Sequence, residues 1–253
     1  MVLLQSFLTD SSHNQLNTAD NWIQLFNGKD LNDWTVKIKG HPAGENFKNT
    51  FRAVEGVLQM NYDEYDTFGT SYGHIFYKEE FSNYKLRAQY RFIGEQVKDG
   101  QVWARKNSGV MIHSQSPESM GLNQDFPVSV EVQLLGGLGT EDRQTANVCT
   151  PGTHIVINNE LVTTHCTNST SKTFHGNEWV NLEILVMNDS IITHKINGEI
   201  VMAYYKPQIG GTIEIDKKTW ESKEGNPLKK GFISLQSESH PIEFRNIELL
   251  ELH

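Results

Sequence analysis

The sequence predicts an all-β protein, built as two antiparallel sheets packed in a sandwich or jelly roll. Three observations carry this expectation. Short segments of alternating apolar and polar residues recur along the chain, turn dipeptides separate them, and no long segment repeats its apolar residues at helical spacing. Sandwiches as long as these 253 residues commonly form one domain. Residues 21–253 therefore read as a single jelly-roll domain behind a polar, aperiodic arm at 1–20. No period of about 20–50 residues repeats, which argues against a propeller or solenoid.

Taken in order, structure begins at Asn21-Trp22-Ile23-Gln24-Leu25-Phe26 and turns at Asn27-Gly28. Val57–Met60 is a short strand, and a helical turn is expected near Lys78-Glu79-Glu80. The clearest strand is Tyr84–Phe92. Tyr84, Leu86, Ala88, Tyr90 and Phe92 share one face, and Lys85, Arg87, Gln89 and Arg91 share the other. Further strands are expected at Asn107–His113, Val128–Leu135, Ile155–Asn158, Trp179–Met187, Ile191–Ile196, Phe232–Glu238 and Ile242–Leu250. Asn158-Asn159 and Asn197-Gly198 lie between apolar runs as hairpin turns. Lys206–Lys230, polar and rich in Gly and Lys, reads as a surface flap or lid.

Composition narrows the function. Hydrophobic residues make up 37% and aromatics 10%, so the chain can bury a core. A net charge of -9 disfavours nucleic acid as a partner. No apolar run approaches the roughly 18–20 residues that span a bilayer, and no basic amphipathic helix is present for a membrane surface. Met1–Leu8 is apolar but lacks a charged n-region. Two origins fit: a cytoplasmic protein, or an exported one whose signal is not part of this chain. Cys149 and Cys166 flank an expected hairpin, either as a disulfide or as two buried thiols.

Three strands carry candidate chemistry. In Val128–Leu135 the residues Val128, Val130, Val132 and Leu134 face one way, and Ser129, Glu131 and Gln133 the other. Glu131 and Gln133 then project side by side, about 7 Å apart along the strand. A carboxylate so placed is a natural general acid or base if its face lines a groove, and an ordinary surface residue if it does not. In Asn107–His113, Gly109, Met111 and His113 face away from the core. The glycine permits close approach, and His113 is a candidate base, sugar donor or metal ligand. Phe232–Glu238 sets Gln236 and Glu238 opposite Ile233 and Leu235. His194 shares a face with Ile192 and Ile196 and reads as a buried structural histidine. Trp103, Trp179 and Trp220 are available for stacking on a sugar. No histidine pair shows zinc-type spacing; His154 and His165, inside the Cys149–Cys166 segment, are the residues that a His/Cys metal site there would use. Gly136-Gly137-Leu138-Gly139 precedes no helix and no Lys-Ser/Thr, so it is no phosphate cradle. No G-x-S-x-G elbow occurs.

Several segments taken together resemble a known family. They are Trp22–Leu31 with Trp34, Asn107-Ser108-Gly109-Val110, Glu131-Val132-Gln133, His194-Lys195-Ile196-Asn197-Gly198, Gly231–Glu238, and Ile242-Glu243-Phe244-Arg245-Asn246-Ile247. In this order they resemble the bacterial domain-of-unknown-function family now labelled 3-keto-disaccharide hydrolase, from about Trp22 to Leu252. The resemblance implies a concanavalin-A-like jelly roll of the lectin and glucanase type. It also implies a concave groove, a periplasmic or extracellular location and a carbohydrate substrate. The cysteine-bearing insert and the flap from Lys206 look like subfamily features.

A 3-keto group acidifies the C2 hydrogen of a glycoside. A base removes it, the enolate expels the C1 substituent, and water then adds. Such a route needs a base, an acid for the leaving oxygen, and donors or a divalent metal for the enolate oxygen. Glu131 or His113 is expected as the base; a direct two-carboxylate hydrolysis at C1 is the other route, and it needs a second acid, for which Glu238 is the candidate. Gln133, Asn107, Gln236 and Trp103 are expected on the sugar. The alternative is a non-catalytic carbohydrate-binding module of the same fold, and a third reading is a structural domain of the cell surface.

Overall fold

The computed structural model describes residues 21–211 and 217–253, so the polar arm at 1–20 lies outside the described residues. Among those described, seventeen strands form two antiparallel sheets. In chain order the first eight are β1 (Ile23–Gln24), β2 (Trp34–Ile38), β3 (Phe51–Val54), β4 (Val57–Met60), β5 (Gly73–Phe81), β6 (Asn83–Phe92), β7 (Asn107–Ser114) and β8 (Val130–Leu135). Then come β9 (Asn147–Cys149), β10 (Thr153–Ile157), β11 (Glu160–Val162), β12 (Cys166–Thr167) and β13 (Val180–Met187). The last are β14 (Ile191–Ile196), β15 (Glu199–Ile209), β16 (Gly231–Ser237) and β17 (Ile242–Glu251). The ten-stranded sheet runs β11-β10-β15-β14-β13-β6-β17-β4-β3, with β1 on β17. The seven-stranded sheet runs β12-β9-β8-β7-β16-β5-β2.

Alternation explains the layering. Val110, Ile112, Val130, Val132, Leu134, Ile233 and Leu235 of the smaller sheet meet Leu86, Ala88, Tyr90, Leu182, Ile184 and Phe244 of the larger in one buried core. Burial of that apolar area is the main drive for the sandwich. The hairpin turns form as expected: Asn158 and Asn159 have φ of 52° and 66°, Asn197 and Gly198 49° and 90°. Left-handed conformations at both central residues match the strand twist.

Three expectations are corrected. Lys78-Glu79-Glu80 is not a helical turn but the exposed end of β5. The flap begins later than expected, because β15 continues through Lys206 to Ile209. Helix Lys217–Glu221 follows, and Gln208 pairs with Pro227. The third concerns the outer face of the seven-stranded sheet. Loops cover it, so it is a roofed cleft rather than an open groove. Lys37 Nζ donates to the Leu122 carbonyl at 3.1 Å, and Lys39 pairs with Asp125 at 2.6 Å. These contacts tie the loop between β7 and β8 across the sheet. No helix among the described residues is long and apolar enough to cross a membrane.

Candidate active site

The site is built from the alternation of β8. Its apolar residues enter the core, which forces Glu131 and Gln133 onto the outer face. In the ladder to β7, Glu131 stands opposite Met111 and Gln133 opposite Gly109. On the other side Glu131 stands opposite Cys149. A Cβ at Gly109 would lie 2.6 Å from Oε1 of Glu131 and 2.8 Å from its Cγ. The Glu131 side chain therefore lies across Gly109, and only glycine leaves it room.

Five of the expected residues, Glu131, Glu238, Gln133, Asn107 and Trp103, line one cavity of about 310 Å³, completed by Phe126, Pro151, His165 and Cys166. A second cavity of about 370 Å³ shares the wall of Phe126, Pro151 and His165 and extends to Gln124, Asp125, Thr153 and His154. Trp103 is 51% exposed, sits at the rim and stacks on Tyr72 at 6.0 Å. The disulfide Cys149–Cys166 forms, with Cα atoms 4.1 Å apart. It carries Cys166 into the cavity wall.

Gln133 is fixed in orientation. Asn147 Nδ2 donates to Gln133 Oε1 at 3.0 Å, and the Ser169 amide donates to Asn147 Oδ1 at 2.9 Å. The Gln133 amino group is thereby turned out as a donor. Gln236 does not line this cavity but lies on the same face. Leu235 pairs with Val110, so Gln236 stands beside Gly109. Ser108 Oγ holds its carbonyl at 2.7 Å.

His113 is not in the site, contrary to the alternation of β7. Ser234 pairs with Met111 but Phe232 pairs with Ser114, so two residues of β7 oppose one of β16. The bulge puts His113 at φ 49° and reverses its face. Its Nε2 meets the Asn188 carbonyl at 3.0 Å, in the β13–β14 turn of the other sheet. His194 is structural as expected, held by the Ala146 carbonyl at 2.9 Å and the Tyr204 hydroxyl at 3.0 Å. Among the described residues no group of three or more His, Cys, Asp or Glu gathers to hold a metal.

Electrostatics sets the two carboxyl groups apart from surface acids. Glu131 is 6% and Glu238 3% exposed. Burial pushes Glu131 up to about 8. Burial also raises Glu238 well above the usual range, and the Glu131 charge raises it further, while Arg143 opposes both. Nothing in the alternation or the motifs points to Arg143. Its guanidinium donates to the carbonyls of Arg105, Lys106 and Gly136 at 2.6, 3.0 and 2.7 Å, and so fastens the loop that carries Trp103. His74 was missed as well. It is fully buried on the same sheet face, with neither nitrogen partnered among the described residues.

Comparison with known proteins agrees with this architecture. A candidate glycosyl hydrolase from Parabacteroides distasonis is similar at 19% identity and TM-score 0.55, over 92% of this chain and all of that one, 100%. A carbohydrate binding module from Bacillus subtilis is similar at 10% identity and TM-score 0.50, over 87% of this chain and 96% of that one. LamA from Z. galactanivorans, bound to laminaritriose and laminaritetraose, is similar at 9% identity and TM-score 0.52, over 92% and 100%. These likenesses show the jelly-roll fold. No curated protein matches the chain in sequence. Residues 21–250 match the 3-keto-alpha-glucoside-1,2-lyase-like domain, and the chain belongs to that family.

Proposed function

We propose that this protein cleaves 3-keto-glycosides by proton transfer at C2. The observation that carries the reading is the pair of buried carboxyl groups, Glu131 and Glu238, raised together in one roofed cavity. A carboxyl near pKa 8 is mostly protonated at neutral pH, and its ionised minority is a far stronger base than an ordinary carboxylate. Glu238, raised by both burial and the neighbouring charge, is the partner that holds its proton. In this reading Glu131 takes the C2 proton and Glu238 protonates the oxygen leaving C1. Gln133 and Asn107 bind hydroxyls, and Trp103 stacks on the ring. The second cavity, beyond Phe126, Pro151 and His165, is large enough to take the leaving group, since ligand pockets start at about 300 Å³.

A binding module has no need of two buried, mutually repelling carboxyl groups, whose desolvation is a standing cost. That pair favours an enzyme over a carbohydrate-binding module. The disulfide fits an oxidising compartment, and we place the protein in the periplasm or outside the cell. The test is a turnover screen of 3-keto-glucosides beside their parent glucosides, with and without chelator. Cleavage confined to the keto substrates is expected. Equal cleavage of the parents, or binding with no turnover, would remove the reading.

A further inference from the structure

On the outer face of the seven-stranded sheet, one cross-strand row is polar except at Gly109. Lys37 pairs with His74, His74 with Gln236, Gly109 with Gln133, and Gln133 with Asn147. The Leu235–Val110 pairing joins the two halves. At its centre the polar groups lack partners. Both nitrogens of His74, both amide atoms of Gln236 and the hydroxyl of Ser234 make no hydrogen bond to any described residue, and all three side chains are 0% exposed. Buried polar groups are nearly always paired, because an orphan costs about 1–3 kcal/mol. A cluster of such groups in one place is ready to receive a water, an ion or a ligand atom.

The cluster adjoins the reacting end of the site. The Glu131 carboxyl lies over Gly109, and Gln236 flanks Gly109 one strand away, about 4.8 Å. His74 follows on the next strand. Phe126 stands between the cluster and the cavity: its ring meets His74 edge-on at 6.1 Å and also lines the cavity. Access of a substrate atom to the cluster requires the Phe126 ring to turn aside.

We propose that His74, with Gln236, forms the pocket for the C3 oxygen of the substrate as that oxygen acquires charge. The proposal rests on the reaction given above. When the C2–H bond breaks, its proton passes to Glu131 and its electron pair forms the C2=C3 bond. The C3=O π pair moves onto oxygen, where the imidazole N–H and the amide N–H receive it. The enolate then returns its pair and expels the C1 oxygen, which takes its proton from Glu238. Burial, with the Lys37 ammonium facing it, lowers His74 to about 3, so it works as a neutral donor and never as the base.

Two measurements test this. The first follows imidazole ¹H–¹⁵N correlations of the Glu131→Gln protein, titrated with methyl 3-keto-α-glucoside and separately with methyl α-glucoside. The His74 resonances are expected to move with the keto sugar alone. Saturation that leaves them unmoved overturns the proposal, as does equal movement with both sugars. The second is turnover and melting of His74→Phe. We expect kcat to fall by about 100-fold or more, KM to change little, the pH profile to keep its shape, and the melting temperature to hold or rise. Unchanged kcat overturns it. So does lost kcat accompanied by lost stability and unmoved resonances, which is the signature of a structural histidine. If the wild type turns over no 3-keto-glycoside, the reaction fails, while the titration still decides the oxygen site.

Discussion

The outer faces of the two sheets carry the same alternating pattern and have opposite energetics. On the ten-stranded sheet the outward polar residues find one another. Arg91 pairs with Glu243 at 2.7 Å, Lys195 with Glu183 at 2.7 Å, Gln89 with Asn181 at 2.7 Å, and Arg87 with Glu248. Arg91 and Arg245 stack on Trp179 at 4.5 and 4.0 Å. On the seven-stranded sheet the outward residues are roofed over, and several are left alone: His74, Ser234, Gln236, Asn107 and Glu238 each have unpartnered buried atoms. Alternation therefore says only that one face is dry. Which face holds a site is told by whether its polar groups are satisfied, since a protein spends stability on unpaired polar groups where function needs them.

Four variants sharpen the contrast, from the largest effect to the smallest. Glu131→Gln should cut turnover of a 3-keto-glucoside by about 100- to 10,000-fold while the fold is kept. Unchanged turnover takes the residue out of the mechanism. Gly109→Ala adds a Cβ where the Glu131 side chain lies and should displace it, cutting kcat by about 100-fold with a much smaller loss of stability. Steady-state kinetics beside a melting curve separates the two effects. Replacing both cysteines by serine should cost about 3 kcal/mol, the order expected for a loop of this size, measured by denaturant unfolding. Glu183→Gln, on the opposite face, breaks a half-exposed pair and should cost under about 1 kcal/mol with no change in turnover. A large kinetic effect there would break the comparison.

A pH series extends it. Glu131 is raised in the folded state from an ordinary value near 4.5 to about 8. The stability held by its protonated form is full below about 4.5 and lost as pH rises through about 8. Wild type should therefore melt lower at pH 8 than at pH 5 by a few degrees, and Glu131→Gln should lose part of that slope. A slope identical in both proteins would mean that Glu131 is not held protonated by the fold.

Much of this was legible in the chain, for reasons that can be named. Strict alternation in β6 and β8 reflects one dry face, so faces and partners followed directly. Strand β2, Trp34–Ile38, alternates strictly but is only five residues long and was not read as a strand, whereas β5 and β15 were missed where their alternation is interrupted. The three exposed charges that end β5 mimic a helical turn, and Lys206, at φ 47°, breaks the pattern of β15. His113 failed because a bulge leaves no trace in apolar spacing. His74 and Arg143 were invisible because their meaning comes from distant neighbours: Lys37 and Gln236 for the first, the carbonyls around Trp103 for the second. Glu131 and Gln133 were found because their two-residue spacing survives the fold intact.

The most direct measurement of the central claim is hydrogen exchange at C2. Methyl 3-keto-α-glucoside is incubated with the protein in D₂O, and the released 3-keto sugar is analysed at early times against the same sugar standing in buffer. Proton abstraction by Glu131 predicts enzyme-dependent deuterium at C2, abolished in Glu131→Gln. Cleavage that leaves C2 unlabelled would contradict it and return the two carboxyl groups to direct displacement at C1.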